Sequence, residues 1–243
     1  MSVSERGHPR LLRFIGAASF SVYKSLLYFL SFLGPVLFIA HFRRLPIPVL
    51  LAFAIVGFGF AGSIFLWLIV LTKKLIVGPV PNAGRTNLHT SAGKRWFSAA
   101  MSTGALLHSP FRQMTSGLSL FASGYYRGMG AKMPDSVLLG ARSRITDPWF
   151  LEVGENATIG ADAVILGHLG HGEDIILGRV VIGDGAIIGM RAVIFPDVRI
   201  GNNARVGAGA IVVRGTTIGD GETWASVPAR RISARSQRTC SGQ

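Results

Sequence analysis

The chain has 243 residues, of which 49% are hydrophobic and only 15% are charged, and its formal net charge is +13. Because soluble domains contain about 25% charged residues, this composition predicts a membrane-embedded part. The charge does not indicate nucleic-acid binding, because no basic-aromatic platform or groove-binding helix accompanies it. The single cysteine, Cys240, excludes a disulfide framework and fits a reducing compartment such as the cytoplasm.

Two apolar segments come first in the chain. Ser25 to Ala40 is uncharged and has apolar neighbours on both sides, and the longer stretch from Ile47 to Leu71 contains no charge. Since about 20 apolar residues in a helix cross the hydrocarbon core of a bilayer, both segments are predicted to span a membrane. The absence of a small-residue cleavage site argues against a secretory signal peptide. Residues 1–74 are therefore predicted to form a two-helix membrane anchor.

The basic residues predict the orientation of this anchor. The two flanks that would share one side of the membrane carry nine Lys and Arg residues, whereas the connector carries only Arg43 and Arg44. Loops rich in Lys and Arg stay on the cytoplasmic side, where they also meet anionic lipid headgroups. The sequence thus predicts a multi-pass protein of a bacterial-type inner (cytoplasmic) membrane, with the remainder of the chain facing the cytoplasm.

Residues 75–135 are predicted to be a linker followed by short helices. The linker, residues 75–92, is rich in Gly and Pro. Between Lys94 and Tyr126 apolar and polar residues mix as in amphipathic helices, and Pro110 divides the pattern into two. These helices are expected to lie at the membrane surface or against the following domain.

A six-residue period dominates the next part of the chain. It begins loosely at Leu139 and is strict from Ile182 to Thr223, where seven successive blocks open with Ile or Val. This period fits neither a helix nor a plain strand and is typical of a parallel β-helix, in which the opening residue points inward. Residues 136–232 are predicted to form a β-helix of about four coils, and residues 233–243 a disordered tail.

The period is interrupted once. The spacing from Ile165 to Ile182 is one position short of three full blocks, so Leu166–Val181 must contain a loop that leaves the prism. Loops held by a rigid scaffold are frequent sites of function. Four residues of this loop can carry chemistry: His168, His171, Glu173 and Asp174.

These residue types fit acyl transfer from a thioester to an amine or hydroxyl. The acceptor must lose a proton as it attacks the carbonyl carbon, and histidine suits this task because its ordinary pKa lies near neutrality. A carboxylate within reach would fix the tautomer of the histidine and stabilise the imidazolium. Glu173 and Asp174 are candidates for that role, although a solvated turn is an equal alternative. His168, His171 or neither remain open as the base on this reasoning alone.

The six-residue repeat resembles that of the hexapeptide acyltransferases. The resemblance implies a left-handed β-helix, a homotrimer with sites between neighbouring subunits, and His168 as the general base. It implies no bound cofactor or metal, and acyl-CoA, such as acetyl-CoA, or the phosphopantetheine thioester of a carrier protein as co-substrate. Three upstream segments also resemble a membrane-bound subgroup, the C-terminal modules of amino-acid homopolymer synthetases and nonribosomal peptide synthetases: Lys94–Trp96, Tyr125–Lys132 and Ile145–Leu151.

The same resemblance suggests where the donor binds. The run from Val206 to Val213 is similar to the family's donor-binding stretch, and the run from Ser226 to Arg231 to its closing motif, with Ser226 where glycine is usual. Arginine side chains there can meet phosphates, and a basic tail that is solvated or directed toward the membrane is an equal alternative. The implied donor contacts are Gly207, Ala208, Arg214, Ser226, Arg230 and Arg231.

The sequence therefore predicts a mainly β protein: a left-handed parallel β-helix preceded by two transmembrane α-helices and short surface helices. The predicted activity is that of a membrane-anchored acyltransferase that transfers an acyl or aminoacyl group to an amine or hydroxyl. One alternative is a non-catalytic membrane-tethered scaffold. A second is a γ-type carbonic anhydrase, suggested by the run Ile188–Met190, but its zinc needs three imidazoles and the loop offers only His168 and His171.

Overall fold

The protein is described here by a computed structural model covering residues 9–115, 119–172 and 174–232. It divides into two compact units, Met1–Ile69 and Val70–Gln243. Glu173, Cys240 and the predicted tail, residues 233–243, lie outside the described residues.

Two long apolar helices open the described chain. Helix α1 spans Pro9–His41 and α2 spans Ile47–Thr72. Their segments Ser19–His41 and Ile47–Val77 are long and apolar enough to cross a membrane. A Cβ atom added at Gly57 would lie 3.2 Å from the Cβ atom of Pro35, so glycine allows the two helices to approach closely at this point. The two predicted apolar helices are present.

The connecting region contains more structure than its Gly and Pro content predicts. A π-helical turn, Lys73–Val77, is followed by strand β1, Gly84–Asn87, inside the predicted linker. Helix α3 spans Ser91–Leu107 and α4 spans Ser119–Met129, with a 3-10 turn, Pro110–Thr115, between them. The two short helices thus occur where the pattern predicts them, and the break falls at Pro110 as expected.

Parallel strands of two or three residues build the rest of the described chain, and they stack in three sheets. The first sheet contains β2 Leu138–Leu139, β5 Thr158–Ile159, β10 Ile187–Ile188, β13 Arg205–Val206 and β16 Thr223–Ala225, with β17 Arg230–Arg231 antiparallel at its end. The second contains β3 Arg144–Ile145, β6 Val164–Ile165, β11 Val193–Ile194 and β14 Ile211–Val212. The third contains β4 Leu151–Val153, β9 Val180–Ile182, β12 Arg199–Ile200 and β15 Thr217–Ile218.

The register of these strands defines a parallel β-helix. Ile188 pairs with Val206, which opens the third block after it, so each regular coil consists of three six-residue blocks. The coil that joins Ile159 to its partner Ile188 is longer than a regular coil by nearly two blocks. The surplus is the predicted excursion, but it is not an open loop. It forms a hairpin of β7, His168–His171, and β8, Asp174–Leu177, and β1 pairs antiparallel with β8.

The interior of the prism is filled as the period predicts. The opening residues, such as Ile188 and Ile194, are fully buried, and so are the small fifth residues Ala186 and Ala192. At the second position of a block, glycine allows neighbouring coils to stack closely. A Cβ atom added at Gly189 would lie 2.5 Å from the backbone nitrogen of Ala208, closer than real atoms approach.

Substitution of Gly189 by alanine is therefore expected to destabilise the β-helix by about 3 kcal/mol, because rigid backbone rather than a flexible side chain is in the way. Gly170→Ala in the hairpin is the matched control, since an added Cβ atom there meets nothing within 4 Å. Thermal unfolding in detergent, followed by circular dichroism, measures both variants. Equal midpoints for the two would contradict the role of coil crowding.

Helix α4 covers the N-terminal end of the prism, where it contacts β2 and the turn Pro148–Phe150. Tyr126 and Met129 of α4 and Phe111 of the 3-10 turn are buried. Burial raises the pKa of Tyr126 to about 12. The end of the first coil is thereby covered by packed apolar side chains.

Candidate active site

His168 lies at the start of β7, where the chain leaves the prism. Its Nδ1 atom is 2.6 Å from Oδ2 of Asp147, a carboxylate that the sequence reasoning did not select. The side chain of Asp147 is fully buried, whereas that of His168 is 32% exposed. An ionised carboxylate only accepts hydrogen bonds, so Nδ1 carries the proton and Nε2 of the neutral ring is left as an acceptor.

Asp147 is held by a dense set of donors. Its Oδ1 accepts a hydrogen bond from Nε1 of Trp96 at 2.8 Å. Its Oδ2 accepts from the hydroxyl of Thr146 at 2.6 Å and from the backbone nitrogen of Gly167 at 3.1 Å, in addition to His168. Buried carboxylates are tolerated when several donors surround them, and here the donors also fix the rotation of the group.

The β-helix register explains how Asp147 reaches His168. Ile145 pairs with Ile165, so Asp147 lies over Gly167 in the next coil. A Cβ atom added at Gly167 would lie 2.5 Å from the Cβ atom of Asp147, which shows that glycine permits this approach. The backbone oxygen of Asp147 also accepts a hydrogen bond from the nitrogen of Phe150, at 3.0 Å, and so closes the turn that begins with Pro148.

Trp96 belongs to α3, outside the β-helix. Its side chain is only 6% exposed and packs with Phe150, Ile175 and Leu177. Its ring lies against that of His168, with 4.8 Å between centroids and 61° between planes. Trp96 therefore contacts both members of the His168–Asp147 pair.

The other predicted residues of the hairpin have different surroundings. Asp174 forms an ion pair with Arg85 of β1, with 2.5 Å between Nη2 and Oδ2, and so fastens β1 to the hairpin rather than orienting a histidine. His171 is exposed near the hairpin turn, opposite Asp174 in the register. In this structure the carboxylate beside His168 is that of Asp147, and the carboxylate of Asp174 pairs with Arg85 instead.

Sequence reasoning missed Asp147 and Trp96 as members of the site. Aligning the coils offers a signal for Asp147, because an acidic residue two positions after a strand falls beside Gly167 in the next coil. Trp96 has no such signal, since it is 51 residues away from Asp147 and belongs to a helix.

Three of the predicted donor contacts lie after strands of the first sheet. The nitrogen of Gly207 donates to the oxygen of Trp224 at 2.8 Å, and a Cβ atom at Gly207 would lie 2.8 Å from that of Ala225. Gly207 is thus needed for coil stacking, while Ala208 beside it is exposed. Ser226 adopts a left-handed φ of 83°, a conformation for which glycine is the usual residue.

Arg214 is the predicted donor contact that shares a corner with His168. Strands β3, β6, β11 and β14 pair in succession through Ile145, Ile165, Ile194 and Val212. The residues two positions after these therefore stack along one corner of the prism: Asp147, Gly167, Pro196 and Arg214. At about 4.8 Å per coil, Arg214 lies roughly 14 Å along the prism from Asp147. It pairs with Asp197 at 2.7 Å, and both residues line a groove of 360 Å³ that also includes Gly84, Arg85 and Leu177.

The last two arginines lie on β17. Arg231 pairs with Glu222 at 3.1 Å, and Glu222 also accepts hydrogen bonds from Nε1 of Trp224 and the nitrogen of Gly219. These donors, the Trp224 indole first, lower the pKa of Glu222. Arg230 is exposed and donates to the oxygen of Ala229 at 3.0 Å. Exposed pairs contribute little energy, so the guanidinium group of Arg231 can exchange Glu222 for a phosphate.

The metal hypothesis has no support in the donor set of the described residues, which contain no group of three or more His, Cys, Asp or Glu side chains placed to hold an ion. Nδ1 of His168 is bonded to Asp147, and His171 is separate at the hairpin turn.

Comparison with known proteins decides the nature of the repeat. The family model described as the hexapeptide repeat of succinyl-transferase matches residues 179–214 and 197–221. Residues 179–221 are hexapeptide repeats. This match agrees with the coil of three six-residue blocks in the structure.

Several proteins similar to this chain are named as acetyltransferases. A curated relative, the putative acetyltransferase YvoF of Bacillus subtilis (strain 168), is 38% identical over 65 residues. The match includes 27% of this chain and 38% of that protein, so the chain spans about two fifths of the curated relative.

Two solved structures also resemble the chain. A maltose O-acetyltransferase from Clostridium difficile 630 matches with 15% identity and a TM-score of 0.47, over 62% of this chain and 92% of that one. A hexapeptide-repeat-containing acetyltransferase from Vibrio cholerae O1 biovar eltor, complexed with acetyl coenzyme A, matches with 14% identity and a TM-score of 0.44, over 60% and 91%.

Proposed function

We propose that this chain is a membrane-anchored acyltransferase that transfers an acyl group from a coenzyme A thioester to an amine or hydroxyl. The observation that carries the proposal is the His168–Asp147 pair. The pair uses Nδ1 of a partly exposed imidazole, so Nε2 is the nitrogen left to accept a proton, and the imidazole lies beside a hexapeptide-repeat prism. The curated relative named as a putative acetyltransferase supports the reaction type.

The chemistry assigned to the pair is general base catalysis. Nε2 of His168 takes the proton of the acceptor amine or hydroxyl while the acceptor atom attacks the thioester carbonyl carbon. The tetrahedral intermediate then collapses, the carbon–sulfur bond breaks, and the imidazolium returns its proton to the thiolate. Asp147 stabilises the imidazolium and keeps the proton of the neutral ring on Nδ1.

The donor is proposed to lie along the corner that Asp147, Gly167 and Arg214 share. Arg214 is exposed and placed to meet a phosphate, and the groove beside it borders β8, the strand that pairs with β7. The phosphopantetheine arm of a carrier protein is an alternative donor, because it presents the same thioester. Such an arm can also carry an aminoacyl group. Arg230 and Arg231 serve as further phosphate contacts at the end of the prism.

A homotrimer is proposed because one face of the prism is apolar. From β6 to β14 of the second sheet, the outward residues are half-buried or exposed apolar side chains in two rows, and Val213 is 42% exposed. The outward residue of β3, Arg144, is charged. Apolar sheet faces of this kind are covered by partners in soluble assemblies. The members are Val164, Val193 and Ile211 in one row and Leu166, Phe195 and Val213 in the next.

Membrane anchoring is proposed for α1 and α2. Large apolar side chains on these helices are exposed, with Ile55 at 75%, Phe60 at 64% and Trp67 at 60%. Only 11% of the first candidate span and 22% of the second is buried, which suits hydrocarbon rather than water as the surroundings. The basic flanks support a cytoplasmic position for the β-helix and contact with anionic lipid.

An assay of the detergent-solubilised protein tests the proposal. Acetyl-CoA is incubated with a panel of amines and sugar hydroxyls, free thiol is measured, and acetylated products are identified by mass spectrometry. Acceptor-dependent thiol release is the expected result. If no acceptor releases thiol and coenzyme A does not bind, the non-catalytic scaffold is the better interpretation and the enzymatic proposal fails.

A further inference from the structure

Trp96 reaches the candidate site from outside the prism. It lies in α3, and its Nε1 donates a 2.8 Å hydrogen bond, buried from solvent, to Oδ1 of Asp147. Within the described residues this is the donor that the structure provides for Oδ1, whereas Oδ2 accepts from His168, Thr146 and Gly167. The two oxygens of the carboxylate thus have separate partners.

We propose that Trp96 is a positioning residue that sets the orientation of the Asp147 carboxylate and, through it, the tautomer and ring plane of His168. This inference rests on the proposed general-base role of His168. The indole bond to Oδ1 acts together with the donors of Oδ2 to oppose rotation of the carboxylate, so Oδ2 stays directed at Nδ1. Without that bond Oδ1 loses its described donor in an apolar pocket, and only the contacts of Oδ2 still oppose reorientation of the carboxylate.

Packing strengthens this role. The indole ring contacts the imidazole of His168 at 4.8 Å between centroids and is itself held among Phe150, Ile175 and Leu177. Tilted aromatic contacts of this geometry are favourable beyond their buried area. Trp96 therefore restrains the base directly by ring contact and indirectly by its hydrogen bond.

A continuous series of contacts connects helix α3, which carries Trp96, to the hairpin that carries His168. The Oγ1 atom of Thr90, the N-cap of α3, accepts from the nitrogen of Gly93 at 3.0 Å and lies 2.8 Å from Oγ1 of Thr86 in β1. Strand β1 pairs with β8, and β8 pairs with β7. The position of α3 is thus fixed relative to the hairpin, so the indole and the imidazole are positioned by one connected framework.

Close packing at Gly93 shows how tight this framework is. A Cβ atom at Gly93 would lie 1.8 Å from the backbone oxygen of Asn87, the last residue of β1. Helix α3 consequently packs directly on the end of β1. A small displacement of α3 would be transmitted to the Trp96–Asp147 bond, which makes the indole a sensitive point of the site.

The variant Trp96→Phe tests the inference, because it keeps an aromatic ring in the cluster and removes the N–H group. We expect kcat for acetyl transfer to fall about tenfold, the rate equivalent of one hydrogen bond, with KM for acetyl-CoA unchanged. We also expect the 15N signals of His168 to show a smaller population of the Nδ1–H tautomer. Phe150→Leu is the matched control, since it perturbs the same cluster without removing a donor of Asp147, and its His168 signals should match the wild type.

The outcomes separate this inference from the proposed function. Wild-type kcat and wild-type His168 signals in Trp96→Phe would overturn the positioning role while an inactive His168→Ala variant still upheld the base. Full activity in both variants would overturn the role of His168 as base and the positioning role with it, whereas an inactive wild-type protein would overturn the proposed function itself. If Trp96→Phe fails to fold, hydrogen exchange of the Trp96 indole N–H in the wild type decides the matter. Slow exchange supports the buried bond, and exchange as fast as that of an exposed indole refutes it.

Discussion

Replacement of His168 by alanine is expected to lower the rate of acyl transfer by a factor of about 10² to 10⁴, the usual contribution of a positioned general base. Nε2 of His168 is the proposed proton acceptor, and alanine has no group that can take its place. The side chain is 32% exposed, so its removal leaves most of the hydrophobic core intact. The variant should therefore fold, and the loss should appear in kcat rather than in expression or thermal stability.

His171→Ala is the matched control for this experiment. His171 lies on the same strand, β7, but is exposed and paired in register with Asp174, away from the Asp147 carboxylate. Its removal should change the rate by less than a factor of two or three. Acetyl transfer is measured for both variants after circular dichroism has shown that they are folded. An active His168→Ala variant beside an inactive His171→Ala variant would reassign the base.

The β-helix could be predicted because its signal is repeated. Each six-residue block occupies an equivalent place in the prism, so the same choice of an apolar opening residue and a small fifth residue recurs. Ile188, Ile194 and Ile200 are all buried at equivalent strand positions on the three faces of one coil. Even the excursion could be located, because the spacing from Ile165 to Ile182 does not continue the period. Left-handedness follows only from the family resemblance and stays a prediction.

The shape of the excursion could not be predicted from its own residues. Its glycines suggested an open loop, whereas the structure has a hairpin completed by β1. The strands β1 and β8 are joined by an ion pair between residues 89 positions apart, Arg85 and Asp174. Local propensity carries no information about such a distant partner, and the Gly and Pro residues around β1 favoured a linker.

The same distinction applies to the site. The excursion and its two histidines could be selected because loops on a rigid scaffold often carry function and histidine is chemically suited to the task. Only the family resemblance favoured His168 over His171. Its carboxylate partner was sought among neighbours in sequence, Glu173 and Asp174, although the coil geometry brings Asp147 from 21 residues away. The neighbour Asp174 is used to hold β1. In a β-helix, proximity is determined by coil register, so residues one coil apart are better candidates than adjacent ones.

Substitution of Asp147 is expected to have the second large effect. Two different substitutions separate its contribution to stability from its contribution to catalysis. Asp147→Ala removes the acceptor of Trp96 Nε1 and of the Gly167 nitrogen, leaving two buried donors unsatisfied at a cost of about 3 kcal/mol in total. Thr146 has a second acceptor, the oxygen of Ile165 at 3.3 Å, and adds little. The alanine variant should therefore lose both stability and activity.

Asp147→Asn should preserve much of the packing and lose the chemistry. An asparagine amide can still accept from Trp96 through its oxygen, but its NH₂ group then faces Nδ1 of His168 and donates to it. This forces the ring proton onto Nε2, the atom that must accept the proton of the substrate, and a loss of about 10³ to 10⁴ in kcat is expected for such a tautomer. Denaturant unfolding and acetyl-transfer kinetics measure the two effects separately.

Asp162→Asn provides the reference for this charge change. Asp162 has a left-handed φ of 57°, which asparagine also tolerates, and its carboxylate pairs with Arg142 on the surface rather than with a histidine. Hydrogen bonds from Arg142 lower the pKa of Asp162, so the control removes a true ion pair in the adjacent coil. It should leave kcat unchanged. Asp147 is the group bonded to Nδ1 of His168 among the described residues. Retained transfer in Asp147→Asn would therefore show that the carboxylate is structural and that another group orients the base.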